Sequence, residues 1–310
     1  MGKTDVMVRQ YMSDPERFAD AFNFAAYGGE RVIDPNALRP LDTELLHSAM
    51  ESGGPVGERR RDGLREWQVM RDERAAYALL GVEDQTHVDY AMPVRCMLYD
   101  ALSFMDQVDG LKRKNRRSGD LRSDEWLSGL RKSDTLLPVA TLVIHFGANA
   151  WDGSLSLSGM LSTADERLMR LVPEYRLNLL SPASLDADDL SKFRSELGLV
   201  LGYIRYAHDK DELMAYVRGD ERFHDVELDT ANLVNELTDS RLEYRSGEER
   251  VDMCKAIEDM RAEALDRGLE QGILKTLADL VRDGVLAPAD AAARAGMDID
   301  EFLAKASARR

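Results

Sequence analysis

The chain has 310 residues, 44% of them hydrophobic, with 41 basic and 57 acidic side chains and a formal net charge of −16. That length and apolar content suit one large domain or two moderate ones, and they exclude a disordered or fibrous chain. The acidic balance argues against indiscriminate nucleic-acid binding, and no apolar run approaches the ~18 residues of a membrane span. Two widely separated cysteines, Cys96 and Cys254, imply neither a disulfide framework nor a metal motif. A reducing, cytoplasmic setting is expected, and the opening MGKTDV lacks the layout of a signal peptide.

The first element is a helix. In SDPERFADAFNFAAYGG, Ser13 and Glu16 have capping-box spacing, Pro15 falls in the first turn, and Gly28-Gly29 ends the run. RVIDPNALRPLDTELL predicts a broken connection followed by a strand near Thr43 to Leu46. Next, RRRDGLREWQVM and RAAYALLGVEDQ read as two strands joined by a turn over Arg71 to Arg74. AMPVRCMLYDALSFMDQVDGLKRK predicts a helix, with Met92, Cys96, Tyr99, Leu102 and Met105 as its core-facing stripe.

A charged loop, RRSGDLRSDEWLSGLRKSD, leads to TLLPVATLVIHFGA, the longest apolar run, which predicts a buried central strand. RLNLLSPA predicts a shorter strand, and three helical segments follow: DADDLSKFRSELGLVLGYIRYA, HDVELDTANLVNELTDSRL and the long run from Arg250 to Gly284. The order helix, three strands, helix, two strands, helices gives an α/β core with a helical C-terminal region. The helix from Arg250 to Leu280 offers a surface for a homodimer. LAPADAAARAGMDIDEFLAKASARR has the layout of a helix-turn-helix. Asp298, Asp300 and Glu301 would meet DNA phosphates badly, so a packing module is expected there.

Charge is distributed unevenly. Residues 55–132 carry 15 basic and 14 acidic side chains, against 5 and 9 in 1–54 and 21 and 34 in 133–310. The basic residues of this middle segment cluster in ERRRDGLR and in LKRKNRRSGDLR, from Lys112 to Arg122. The five histidines show no short paired spacing, so zinc is not indicated, and His145 reads as a packed core histidine. There is no glycine-rich phosphate loop and no Gly-x-Ser-x-Gly elbow.

The predicted hairpin brings acids together. With its turn centred between Asp72 and Glu73, residue i lies opposite residue 145 − i, so Asp62 faces Glu83 with Cβ atoms roughly 4.5–5.5 Å apart. Gln85 shares that face by strand alternation. Two carboxylates so close need a positive neutraliser. A divalent cation fits, since Mg²⁺ takes hard oxygen ligands; Arg59, Arg60, Arg61 and Arg65 are the alternative.

Asp62 ahead of an apolar strand ending GVEDQ, followed by AMPVRCMLYDAL on a helix, resembles the PD-(D/E)XK nuclease superfamily. More narrowly the chain is similar to the recombination-promoting nuclease and transposase group, including the YhgA-like proteins. FADAFNF, LPVATLVIHFGANAWDG, YRLNLLSPA and VDMCKAIEDMR look like segments of bacterial members, so the resemblance covers most of residues 1–265.

The resemblance implies a restriction-endonuclease-like core, a central mixed sheet flanked by helices, over 1–182, with a helical region at 183–284 and a small helical module at 285–310. It implies Mg²⁺ or Mn²⁺ held by Asp62 and Glu83, helped by the Asp84 carbonyl, for hydrolysis of a DNA phosphodiester. Gln85 stands where the superfamily has lysine; its neutral amide orients water but supplies no charge. Arg95 and Tyr99, one turn apart, are candidate phosphate contacts, with Tyr99 equally a core residue, and Asp20 is a candidate accessory acid or an exposed helix residue. The alternative is a catalytically silent nuclease fold kept for assembly or nucleic-acid binding.

Overall fold

The first long helix starts where its cap chemistry dictates. Asp14 Oδ1 accepts from the backbone N–H groups of Glu16 (2.8 Å) and Arg17 (3.1 Å), and Pro15 opens α2 (Pro15–Tyr27). Ser13, the expected cap, instead donates its hydroxyl to Gln10 O at 2.6 Å, at the end of α1 (Lys3–Met12). Aspartate takes the cap because its carboxylate satisfies two orphan N–H groups at once. Gly28, at φ 62°, ends α2 in the left-handed conformation that glycine adopts without strain. The computed structural model describes residues 3–41, 63–71, 74–162, 165–244 and 249–307.

Five strands form one sheet in chain order: β1 (Leu38–Pro40), β2 (Gly63–Arg71), β3 (Arg74–Gln85), β4 (Val139–His145) and β5 (Asn178–Leu180). β2 pairs antiparallel with both β1 and β3, whereas β4 runs parallel to β3 and β5 parallel to β4. The parallel step needs a crossover, supplied by α3 (Met92–Ser118). Pro40 closes β1, at a strand end where its missing N–H disturbs the ladder least. The strand expected near Thr43 to Leu46 lies outside the described residues. Within the expected charged loop a short helix forms, α4 (Ser123–Ser128), stopped by Gly129 at φ 75°.

Helix α3 buries a different stripe from the one its apolar residues suggest. Met92, Cys96 and Tyr99 are buried, but Met105 is exposed, and Asp100 and Ser103 take the inward positions instead. The cause is a polar seam: Thr141 of β4 and Tyr175 both donate to the Asp100 carboxylate, and Gln107 bonds the Leu137 backbone. Opposite this layer, Leu142 and Ile144 of β4 are buried, and α1 packs on β3 and α2 on β5. The fold is a mixed α/β arrangement, mostly helical, with the sheet covered on both faces.

A short helix, α5 (Glu166–Met169), precedes β5, and after β5 come α6 (Ala187–Ser191), α7 (Leu197–Tyr206), α8 (Lys210–Gly219) and α9 (Leu228–Thr238). Every residue of α7 from Leu197 to Ile204 is buried, the signature of a helix running through a core. The chain divides into two compact units, Met1–Ser240 and Arg241–Arg310, whereas the expected boundaries were 182/183 and 284/285. Residues 183–240 join the sheet-bearing unit because α9 packs on α1 and α7, and α7 on α2. Arg17 fastens them: its guanidinium bonds Asp229 at 2.8 Å and Glu227, and lies 3.8 Å from the Tyr11 ring centroid.

The second unit contains α10 (Met253–Arg282), α11 (Pro288–Arg294) and α12 (Ile299–Ser307). Leu277 of α10 shares a small core with Ala291, Ala292 and Phe302, which packs the last two helices on the end of α10. Gly296, at φ 69°, makes the turn between them. No helix among the described residues is long and apolar enough to cross a membrane.

Candidate functional site at the ends of β3 and β4

The hairpin has the register that its sequence implies. Gly63 pairs with Val82, Arg65 with Leu80 and Arg71 with Arg74, so each pair obeys the 145 − i rule. With Arg71 paired to Arg74, only two residues separate the strands, which leaves the register little choice. Asp62 lies outside the described residues, and Glu83 is given by its place in the strand. β3 continues past the hairpin beside β4, with Glu83 in register with Val143 and Gln85 with His145.

Those β4 partners identify the covering layer. Val143 packs against Met92 and Cys96, with Tyr175 and Trp151 around them, and Thr141 Oγ1 donates to Asp100 Oδ1 at 2.5 Å. The strand positions of Glu83 and Gln85 therefore run alongside the α3-covered row of β4. Arg65 belongs to the other row: its guanidinium bonds the Ser13 carbonyl and sits 5.0 Å from the Phe18 ring centroid. Burial holds its pKa below the ordinary arginine value, with Asp14 opposing. Of the four candidate arginines, Arg65 thus fastens β2 to α2; Arg59, Arg60 and Arg61 lie outside the described residues.

The segment leaving β3 builds a cleft. Asp89 caps the next turn, accepting from Ala91 N at 2.8 Å, and its second oxygen takes Arg95 Nη1 at 2.6 Å. Arg95 is thereby held at the start of α3, while Tyr99, one turn on, is only 2% exposed and belongs to the buried stripe. Thr86, His87, Tyr90, His145, Gly147, Asn149 and Asp152 line a cleft of about 600 Å³ beside the strand ends. Thr86 Oγ1 donates to Asp5 at 3.1 Å, and Tyr90 OH donates to Asp152 at 3.1 Å.

His145 is the residue whose place most exceeds its sequence reading. It is a core histidine as expected, 2% exposed, edge-on to Trp151 at 5.4 Å. Among the described residues, its Nδ1 and the Trp151 Nε1 nevertheless find no hydrogen-bond partner, an uncommon state for buried polar atoms. Burial is the main cause lowering its pKa below 6.5, reinforced by His87 and opposed by Asp152, so the ring is kept neutral. Backbone wraps the ring closely: a Cβ on Gly147 would lie 2.4 Å from His145 Nε2. The sequence signal was the His-x-Gly at the end of an apolar strand; a lone histidine gave no reason to choose it.

Asp100 was missed for the opposite reason, because an acid inside an amphipathic helix reads as solvent-facing. Buried, it accepts from Thr141 and, at 2.7 Å, from Tyr175 OH. Asp20 is neither exposed nor open at its bonded oxygen. It is 7% exposed, and its Oδ2 accepts from Arg194 N (3.0 Å), Ser195 N (2.8 Å) and Ser195 Oγ (2.6 Å), bracing the turn ahead of α7. Burial raises its pKa, and those bonds pull it back.

As for metal-binding groups, Asp186, Asp188 and Asp189 bring oxygens within 4.8 Å of one another. Their chemistry is already explained: Asp186 and Asp189 form the capping box of α6, and Lys192 Nζ lies 2.9 Å from both Asp188 and Asp189. No protein-family model, no curated protein and no solved structure matches the chain.

Proposed function

We propose that the chain is a metal-dependent DNA endonuclease of the PD-(D/E)XK type, akin to the recombination-promoting nucleases. The observation that carries the reading is the strand register. The register required by a site built on Asp62 and Glu83 is the one β2 and β3 have as far as Gly63 and Val82. The surrounding topology supports it too: an antiparallel hairpin, a crossover helix and a parallel β4 bring the end of β3 to a polar cleft.

In this reading the carboxylates of Asp62 and Glu83 and the Asp84 carbonyl would hold a hard divalent cation, which takes oxygen ligands. Such a cation supplies an activated water and neutralises charge on the scissile phosphate. Gln85 would orient the water through its amide, and Arg95, held by Asp89 at the start of α3, is the candidate phosphate contact. The buried layer of Met92, Cys96 and Val143 excludes solvent behind the site. Tyr99 and Asp20 serve packing and bracing.

The neutral Gln85 favours keeping a second reading, a silent nuclease fold. Calorimetric titration with Mn²⁺ separates them: saturable binding lost in Glu83→Ala supports the endonuclease, and no binding by the parent chain supports the silent fold.

A further inference from the structure

The basic segment of α3 and its sequel form a platform that the candidate site does not use. Residues 112–132 carry eight basic and three acidic side chains, a net of +5 within a chain of −16. The platform is built rather than loose. Buried Asn115 donates from Nδ2 to Gly129 O at 3.2 Å and to Asp134 at 2.6 Å, pinning the segment after α4 back onto α3. Arg131 adds bonds to Ser118 at 2.9 Å and Asp120 at 2.5 Å.

On this pinned segment α4 turns Trp126 and Leu127 outward, 69% and 74% exposed. Trp126 lines a depression of about 450 Å³ together with Arg116. Arg113, Arg116, Arg117 and Arg122 are all exposed. A helix-end dipole accounts for cations in the last turn of α3, at Arg116 and Arg117. It does not account for Arg122 at the start of α4, nor for an indole left bare on a braced turn.

We infer that this platform binds single-stranded nucleic acid, with the arginines on the phosphates and a base stacked on Trp126. Charge complementarity selects a polyanion, and the exposed ring selects an unpaired base, because duplex stacking hides base faces. The inference rests on the nucleic-acid premise of the endonuclease reading but not on its chemistry. A strand opened or left unpaired near the cut would be held there.

The test is fluorescence anisotropy of a labelled oligothymidylate of about 16 nucleotides, in EDTA so that no cleavage intervenes. Trp126→Ala is expected to weaken binding roughly 5-fold or more, with Trp126→Phe restoring most of it. Arg116→Ala with Arg117→Ala is expected to reduce the slope of log K against log salt by about 1.4, at about 0.7 per lost contact. Unchanged circular dichroism and melting keep a folding defect from being mistaken for lost contacts. Full affinity and slope in these variants overturns the inference, as does equal affinity for duplex of the same length. Binding to phosphatidylserine vesicles that Trp126→Ala abolishes, with oligonucleotide binding untouched, overturns it in favour of a membrane surface. If the parent binds the oligonucleotide through Trp126 but never cuts plasmid with Mg²⁺, the inference stands and the endonuclease reading fails.

Discussion

Asp20 distinguishes a bracing carboxylate from a catalytic one. Its Oδ2 accepts from two backbone N–H groups and one hydroxyl ahead of α7, at 2.6–3.0 Å. Asp20→Ala strands both N–H groups, each costing about 1–3 kcal/mol when unsatisfied, so a partly buried turn should lose roughly 3 kcal/mol. For a unit of this size that lowers the melting midpoint by about 6–12 °C. Asp20→Asn keeps an acceptor and removes a charge that burial disfavours, so it should lie within about 1 kcal/mol of the parent.

The sign of the pH effect follows from the raised pKa of Asp20. A carboxyl protonated more readily in the folded state favours folding most at low pH. The parent therefore loses stability relative to Asp20→Asn as pH rises from 3.8 through the raised value, with no further change above it. Melting is followed by circular dichroism, and plasmid nicking is assayed well below each midpoint. An Asn variant that melts with the parent yet no longer nicks DNA would refute the bracing assignment and return Asp20 to the chemistry.

Three further outcomes are expected. Thr141→Val should cost about 1 kcal/mol alone and much less in an Asp100→Ala background, since the two share one hydrogen bond; a double-mutant cycle by thermal melting reads the coupling. Gly147→Ala should cost roughly 1–3 kcal/mol and shift tryptophan emission, because its Cβ meets His145 Nε2 at 2.4 Å and His145 packs on Trp151. The lowered pKa of His145 means that the unfolded chain takes up a proton below 6.5 that the folded ring resists. Stability should therefore fall as pH drops through 6.5, and His145→Phe should flatten that part of the profile in melting scans at pH 5.5 and 7.5.

Much of the sheet was legible because its signals are local. The polar RDER between two apolar runs sets the hairpin register, and the uninterrupted LVIH marks a strand buried on both faces. What stayed hidden depends on distant partners. Met105 looks inward by spacing but is displaced by Asp100, whose value as a core residue comes from Thr141 and from Tyr175, 75 residues away. The break after Ser240 follows the packing of α9 on α1, across which Arg17 reaches Asp229, 212 positions along the chain, and no window of sequence reveals it. The candidate site is legible in the same uneven way. Glu83 and Gln85 announce themselves by interrupting an apolar strand, whereas His145 gains meaning only from its register beside Gln85.

The most direct measurement is conversion of supercoiled plasmid to nicked and linear forms with Mg²⁺, for the parent chain and for Asp62→Ala and Glu83→Ala. The account expects cutting by the parent that EDTA stops, and a loss of about 100-fold or more in either variant, the scale of several kcal/mol of transition-state charge stabilisation. Parent and variants cutting at the same rate would contradict it.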